Sequence, residues 1–169
     1  MSATTTARTG KAHPCPGPSN PSLPQPRRAS LGLDAVLTSP GRARAWTREI
    51  LWQWRLASLS GTAQAIVSEL VANAVLHASA GPGQPGIRLT LACGHGELAI
   101  QVSDRNPDLP QAQHPAGDDE SGRGLLMVQA LSDSYGCYPL EDGTTGKTVC
   151  AVLRTVPNAP GDDPAASIP

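Results

Sequence analysis

The chain has 169 residues, of which 39% are apolar and 16% are charged, and this length fits one domain better than two. Thirteen Lys and Arg residues against fourteen Asp and Glu residues leave a formal charge of −1, with no basic stripe to neutralise a phosphate backbone, so no direct nucleic-acid partner is expected. We also expect no membrane association and a cytoplasmic location, because no continuous apolar run resembles a signal peptide or is long enough to span a bilayer.

The two ends of the sequence differ in composition from its middle. Residues 1–30 are rich in Pro, Ser and Thr with almost no large apolar side chain, and residues 157–169 repeat this composition. Such segments bury too little apolar surface to offset the entropy that is lost when they become ordered. We therefore predict a disordered N-terminal arm over residues 1–30, a folded domain over residues 31–156 and a disordered tail over residues 157–169.

The first half of the folded part predicts one strand and two helices. Residues 31–37 (LGLDAVL) indicate a strand, and Ser39 followed by Pro40 is typical of a helix start. A second helix is expected from Thr62 to Ala78. The buried stripe of the first helix should contain the apolar residues at helical spacing, which are Ala43, Trp46, Ile50 and Trp54.

The second half changes to a period of two. Residues 87–92 and 97–104 alternate apolar and polar side chains around a Gly-containing connector, which predicts a hairpin. A polar stretch over residues 105–120 leads to a third helix, and residues 146–153 read as a last strand. Half-apolar strands need one covering layer, so we predict an α+β fold of two layers, with three helices on one face of a mixed, mostly antiparallel sheet.

The four cysteines do not indicate a metal site or a disulfide framework. They show no CxxC spacing, and two of them fall in strand-like runs, where a free cysteine behaves as a small apolar residue. The four cysteines are Cys15, Cys93, Cys137 and Cys150. We expect those that fall in these strand-like runs to be buried thiols.

Three polar residues interrupt the second helix at intervals of four: Glu69, Asn73 and His77. On a helical wheel they form one ridge along the edge of a broad apolar arc. An ordinary solvated helix edge explains this ridge. The functional interpretation is a general base and a neutral oxygen ligand that face a metal-bound phosphate. The helix alone does not separate the two interpretations.

Two further segments carry candidate residues. Asp104 ends a predicted strand, where loops often build sites, although an Asp before Asn and Pro is also a common turn former. Gly122 and Gly124 open the third helix, so backbone N–H groups could face an anion there. A glycine pair of this kind is often only a tight loop.

In order and spacing, these segments resemble the GHKL, or Bergerat-fold, ATP-binding domain of histidine kinases, gyrase-type proteins and chaperones. The resemblance rests on a helix with ExxxN, a strand that ends in Asp, a polar loop, Gly-x-Gly at a helix start and a strand that begins Gly-Lys-Thr. It covers about residues 31–155. Within this family, the short single-domain form and the phrase VSELVANAVLHA are most similar to the serine/threonine kinases that act as anti-sigma factors in bacteria.

The resemblance implies a role for each matching residue. Glu69 matches the general base that takes the proton of a partner's serine hydroxyl, and Asn73 matches the residue whose carboxamide oxygen holds Mg²⁺. Asp104 matches the carboxylate that accepts from the adenine amino group of ATP, with Thr148 completing the adenine contacts. The glycine box, whose backbone amides approach the phosphates, is matched by Gly122, Arg123 and Gly124. His77 is expected to pack at the end of the helix.

One segment departs from the family pattern. Many GHKL proteins have Asp-x-Gly-x-Gly where this chain has DRNPD over residues 104–108, and the proline stiffens the turn. Short members of the anti-sigma branch often have Asp-Arg-x-Pro.

Two functions are compatible with the resemblance. The first is an ATP- and Mg²⁺-dependent serine kinase that phosphorylates an anti-anti-sigma partner and sequesters a sigma factor. The second is a binding module that captures a sigma factor or another regulator without phosphate transfer. Glu69 favours the kinase, because a pure binding module needs no base, whereas the missing glycines favour the module. The first helix could offer a homodimer surface, although core burial explains its tryptophans equally well.

Overall fold

The structure is a computed structural model that describes residues 26–77, 86–108, 123–140 and 144–155. Its elements, in chain order, are β1 (Arg27–Leu33), α1 (Ser39–Gln53), a short 3₁₀ helix (Ala57–Leu59), α2 (Ser60–Leu76), β2 (Ile87–Gly94), β3 (Glu97–Asp104), α3 (Arg123–Leu131), β4 (Ser134–Pro139) and β5 (Lys147–Arg154).

The five strands form one sheet in the order β1-β2-β3-β5-β4. The predicted α+β architecture is confirmed. Every pairing among the described strands is antiparallel, so the parallel pair that a mixed sheet would contain is not present in this part of the chain. The predicted hairpin is β2 and β3, and β5 inserts between β3 and β4.

The core lies between one face of the sheet and α2. Alternate residues of β3 point toward the helices, as a period of two requires, and Leu98, Ile100 and Val102 are buried there. From the other side, α2 contacts β2, β3 and β5 and is flanked by α1 and α3. The side chains that α2 buries are Ala63, Ile66, Val67, Leu70, Val71 and Ala74.

The buried ridge of α1 differs from the predicted stripe. Ala43 is buried as expected, but the ridge continues through Thr47 and Leu51, while Trp46, Ile50 and Trp54 are only partly buried against the core. Since α1 lies directly against α2, this ridge faces the neighbouring helix and the two indoles lie beside it. Trp52, the third tryptophan, is 69% exposed.

The first and fourth strands also differ from the predictions. The first strand begins at Arg27 rather than residue 31, because residues 27–30 pair with β2, and it ends at Leu33 rather than residue 37. The N-terminal arm predicted over residues 1–30 is therefore wrong for residues 27–30. Strand β4 has no counterpart in the predictions, since its sequence SYGCYP contains Gly and Pro. Residues 1–25 and 157–169 lie outside the described residues, as does the stretch 109–122.

One stretch of the described residues, Ala57–Leu76, is long and apolar enough to cross a membrane, with a mean hydropathy of 1.2. The expectation that the sequence contains no such segment is wrong here. In the structure this stretch is the 3₁₀ helix and α2, whose apolar arc packs in the core. Length and hydropathy alone do not separate a buried helix from a membrane span.

Gly146, just before β5, has a φ of +151°. A Cβ at this position would collide with the backbone oxygen of Asp104 and lie 2.6 Å from Leu140 Cδ1. Glycine is therefore required for the close approach of this turn to the end of β3.

Gly146→Ala should lower the free energy of unfolding by roughly 1–3 kcal/mol, because backbone strain and a main-chain collision both oppose the methyl group. Gly61→Ala is the matched control. An added Cβ at Gly61, in α2, meets nothing within 4 Å, and alanine is favoured over glycine in a helix by about 0.5–1 kcal/mol. Urea unfolding measures both changes, and a Gly146→Ala variant as stable as the wild type would contradict the requirement.

Candidate functional site

Glu69 and Asn73 lie on the edge of α2, beside its buried arc, and both are half-buried. Gly124, near the start of α3, packs directly against Glu69: a Cβ at Gly124 would collide with Oε2 of the Glu69 carboxylate. The structure thus brings two of the predicted site residues together. Gly122 lies outside the described residues, and of Arg123 only its backbone, at the first position of α3, is described.

The Glu69 carboxylate is free of cationic partners in the described part of the chain, where the ion pairs are Lys147–Asp104 and Arg154–Asp133. A carboxylate without a counter-charge is available to accept a proton. One turn further along α2, the carboxamide nitrogen of Asn73 is buried and has no hydrogen-bond partner among the residues that the structure describes.

The amide of Asn73, whose nitrogen has no partner within the described ranges, fits a bound ligand. A buried polar group is nearly always hydrogen-bonded in a folded protein. Amide oxygen and nitrogen exchange places when the group turns by about 180°, and the assignment between them is inferred from the surrounding bonds. The group can therefore present its oxygen to Mg²⁺, which prefers oxygen ligands.

His77 lies at the end of α2 without joining this pair. Its backbone N–H donates to the carbonyl of Asn73 at 3.1 Å, which closes the last turn, and its side chain is exposed. The packing of the imidazole on the helix end stays a prediction.

Asp104 is buried at the end of β3 and forms an ion pair with Lys147, the first residue of β5. Lys147 Nζ lies 3.0 Å from Asp104 Oδ1, and the two side chains are 7% and 2% exposed. The same ammonium donates to the backbone carbonyl of Asn106 at 3.1 Å. The antiparallel register of β3 and β5 places these two residues opposite each other.

The DRNPD segment turns without glycine because its own side chains bond the backbone. The N–H of Asn106 donates to Asp104 Oδ1 at 2.8 Å, and the N–H of Asp108 donates to Asn106 Oδ1 at 2.9 Å. These are two consecutive Asx turns, which Asp and Asn form readily. Asp104 is thus both a turn former and a carboxylate held at the strand end.

Thr148 lies on the opposite face of the sheet from Asp104. Its hydroxyl is hydrogen-bonded to that of Ser103 at 2.8 Å, and both residues line a cavity on the sheet face that the helices leave open, whose rim also includes Asp104. The structure therefore does not bring Thr148 to Asp104, because successive residues of a strand face opposite sides. Lys147 is the residue of β5 that reaches the carboxylate.

The sequence holds a signal that could have identified Lys147. Val149, Ala151 and Leu153 form the buried face of β5, and a period of two extends this face to residue 147 and away from residue 148. A lysine at the start of an apolar alternation is then either exposed at the strand end or paired with a buried acid.

Cys137 on β4 lies near the ion pair. Burial raises the pKa of its thiol, while the Lys147 ammonium lowers this pKa and the Asp104 carboxylate raises it. Burial also raises the pKa of Tyr135 to about 12. Both groups are therefore neutral at physiological pH. Cys93, Cys137 and Cys150 are free thiols, and Cys15 lies outside the described residues.

Comparison with known proteins agrees with this arrangement. Residues 33–153 match the family model of the histidine kinase-like ATPase domain. The chain belongs to this family. The match runs from the end of β1 to β5, so Glu69, Asn73, Asp104 and Gly124 all lie inside the ATPase domain.

Among solved structures, the RsbU and RsbW domains of Rv1364c from Mycobacterium tuberculosis are similar to this ATPase domain, with a TM-score of 0.56 and 25% sequence identity. The similarity covers 76% of this chain and 32% of that one, so this chain spans about a third of the length of its structural relative. No curated protein matches the chain.

Loss of the Lys147 ammonium should destabilise the ATPase domain far more than loss of an exposed cation. Lys147→Met leaves the buried Asp104 carboxylate without its counter-charge, and breaking a buried pair in this way costs about 3–5 kcal/mol. Arg154→Met is the matched control on the same strand, because its ion pair with Asp133 is 3.8 Å long and exposed, and such pairs contribute at most about 1 kcal/mol.

Urea unfolding of Lys147→Met, Arg154→Met and the double variant Asp104→Asn/Lys147→Met measures these differences. The double variant should recover part of the loss, since it leaves no uncompensated charge. Equal destabilisation by the two single variants would show that the Lys147–Asp104 pair does not hold the strand ends together.

Proposed function

We propose that this ATPase domain is a cytoplasmic anti-sigma factor kinase that phosphorylates a serine of an anti-anti-sigma partner and sequesters a sigma factor. The observation that carries the proposal is the contact between Glu69 and Gly124. A half-buried carboxylate that has no cationic partner among the described residues lies against the second residue of α3, where backbone N–H groups favour an anion.

Each group has a defined role in the proposed reaction. The serine oxygen of the partner bonds to the γ-phosphorus of ATP, the bond from that phosphorus to the β,γ-bridging oxygen breaks, and ADP leaves with its electron pair. Glu69 accepts the serine proton. Phosphoryl transfer asks a protein mainly for positioning and for neutralisation of charge.

Asn73 is proposed to hold Mg²⁺ through its carboxamide oxygen. The ion would supply charge neutralisation at the phosphates. Its unpaired buried amide supports this role, as does the position of Asn73 one turn from Glu69 on the same edge of α2. Asp104 is proposed to accept from the adenine amino group, which would select ATP.

The structural relative supports the regulatory part of the proposal. Its name includes an RsbW domain, and the sequence resembles the anti-sigma kinases in VSELVANAVLHA, of which residues 67–76 lie in α2 and include Glu69 and Asn73. A partner protein, rather than a small molecule, is therefore proposed as the phosphate acceptor. A second copy of the chain is a proposed component of the assembly.

Glu69→Gln should abolish phosphate transfer while ATP binding is retained, because glutamine keeps the size of the side chain but cannot accept a proton. The loss of a general base corresponds to roughly 10²–10⁴-fold in rate. Glu49→Gln is the control, since Glu49 is an exposed glutamate on α1. The assay follows label from γ-labelled ATP to serine in purified anti-anti-sigma proteins.

Transfer that survives in Glu69→Gln would remove the base assignment. ATP binding without transfer by the wild type to any of these proteins would favour the binding module over the kinase.

Asn73→Ala should weaken the binding of Mg-ATP much more than the binding of metal-free ATP, because the lost carboxamide contacts the ion rather than the nucleotide. Titration calorimetry with Mg²⁺ and with a chelator separates the two affinities. Gln53→Ala, which removes an exposed amide from α1, should change neither. If Asn73→Ala lost the same factor of ATP affinity with and without Mg²⁺, the magnesium role would be excluded.

A further inference from the structure

The buried pair of Asp104 and Lys147 has unused hydrogen-bonding capacity on both partners. An ammonium carries three N–H donors, and Lys147 uses two of them, on Asp104 Oδ1 and on the carbonyl of Asn106. The carboxylate accepts both of its hydrogen bonds at Oδ1, from Lys147 and from the N–H of Asn106. Within the described residues, one donor on Lys147 and the oxygen Oδ2 of Asp104 therefore have no partner.

An unused donor beside an unused acceptor defines the ligand that would satisfy them. The two groups are fixed, because Gly146 packs on the backbone of Asp104 and the strands hold residues 104 and 147 in register. A ligand that bonds to both groups needs an acceptor next to a donor on one edge. Adenine has this edge, with N1 as the acceptor and the N6 amino group as the donor.

We propose that Lys147 is a specificity-determining residue of the nucleotide site, and this rests on the proposed function. Its ammonium donates to N1 of adenine while Asp104 Oδ2 accepts from the N6 amino group. Guanine bound in the same orientation presents the opposite order, a donor at N1 and an acceptor at O6, and so places two donors together at Lys147 and two acceptors together at Asp104 Oδ2. Lys147 thereby takes the part that the sequence suggested for Thr148, whose side chain points to the other face of the sheet.

The test compares ATP with 1-deaza-ATP, in which N1 is replaced by C–H and the amino group is kept. The wild type should bind 1-deaza-ATP about tenfold or more weakly than ATP, as expected for the loss of a hydrogen bond to a charged group. Lys147→Met should bind the two nucleotides with equal affinity. Arg154→Met, which removes a cation elsewhere on β5, should keep the full difference.

A role of Lys147 limited to holding Asp104 gives a different pattern. Lys147→Met would then weaken the binding of ATP and of 1-deaza-ATP by the same factor. The ratio of the two affinities would stay as it is in the wild type. Such an unchanged ratio, or equal binding of the two nucleotides by the wild type, would overturn the inference. Absence of ATP binding in the wild type would instead remove the proposed nucleotide site itself.

Two measurements keep the test decisive if Lys147→Met does not fold, which circular dichroism would reveal. Lys147→Gln should disturb the fold less, because its amide can still donate to Asp104, and it should reduce the difference between the nucleotides, because a neutral donor replaces the ammonium. In the wild type, the ¹⁵N resonance of Lys147 Nζ should shift on addition of ATP and shift much less with 1-deaza-ATP. Equal shifts with both nucleotides would contradict a bond to N1.

Discussion

Burial of one arc of α2 against the helix-facing side of the sheet determines where the candidate site lies. Ile66, Val67 and Val71 are fully buried on this arc, and each such side chain contributes roughly 1.5–3 kcal/mol relative to exposure. With the arc fixed, Glu69 and Asn73 have one available position, on the edge of α2 that faces the start of α3. A change in the rotation of α2 would therefore move both side chains together.

The second constraint is the register of β3 and β5. It sets Asp104 opposite Lys147 on the same face as the core, so a carboxylate and an ammonium are withdrawn from water together. A pair of this kind adds little net stability compared with apolar residues, but it tolerates loss of neither partner. It is thus better suited to fixing the orientation of hydrogen-bonding groups than to strengthening the fold.

The sequence predicted the elements with strong periodicity. The second helix was expected over residues 62–78 and is Ser60–Leu76, and the hairpin strands agree within two residues at their ends. Weak patterns failed: β4 contains Gly and Pro, and α1 buries Ala43, Thr47 and Leu51 more deeply than its tryptophans. The assignment of Thr148 followed a motif rather than the alternation of β5. The contact of Gly124 with Glu69 depends on how α3 packs on α2, which no local pattern encodes.

The presence of an ATP site on this surface is tested most directly by thermal unfolding of the purified chain with Mg-ATP, with Mg-GTP, and with ATP and a chelator. A ligand at about 100 times its dissociation constant stabilises a protein by about 2.7 kcal/mol, which for a domain of this size raises the midpoint by several degrees. We expect a rise that is selective for ATP and requires Mg²⁺. The absence of any shift at millimolar Mg-ATP would contradict the nucleotide site.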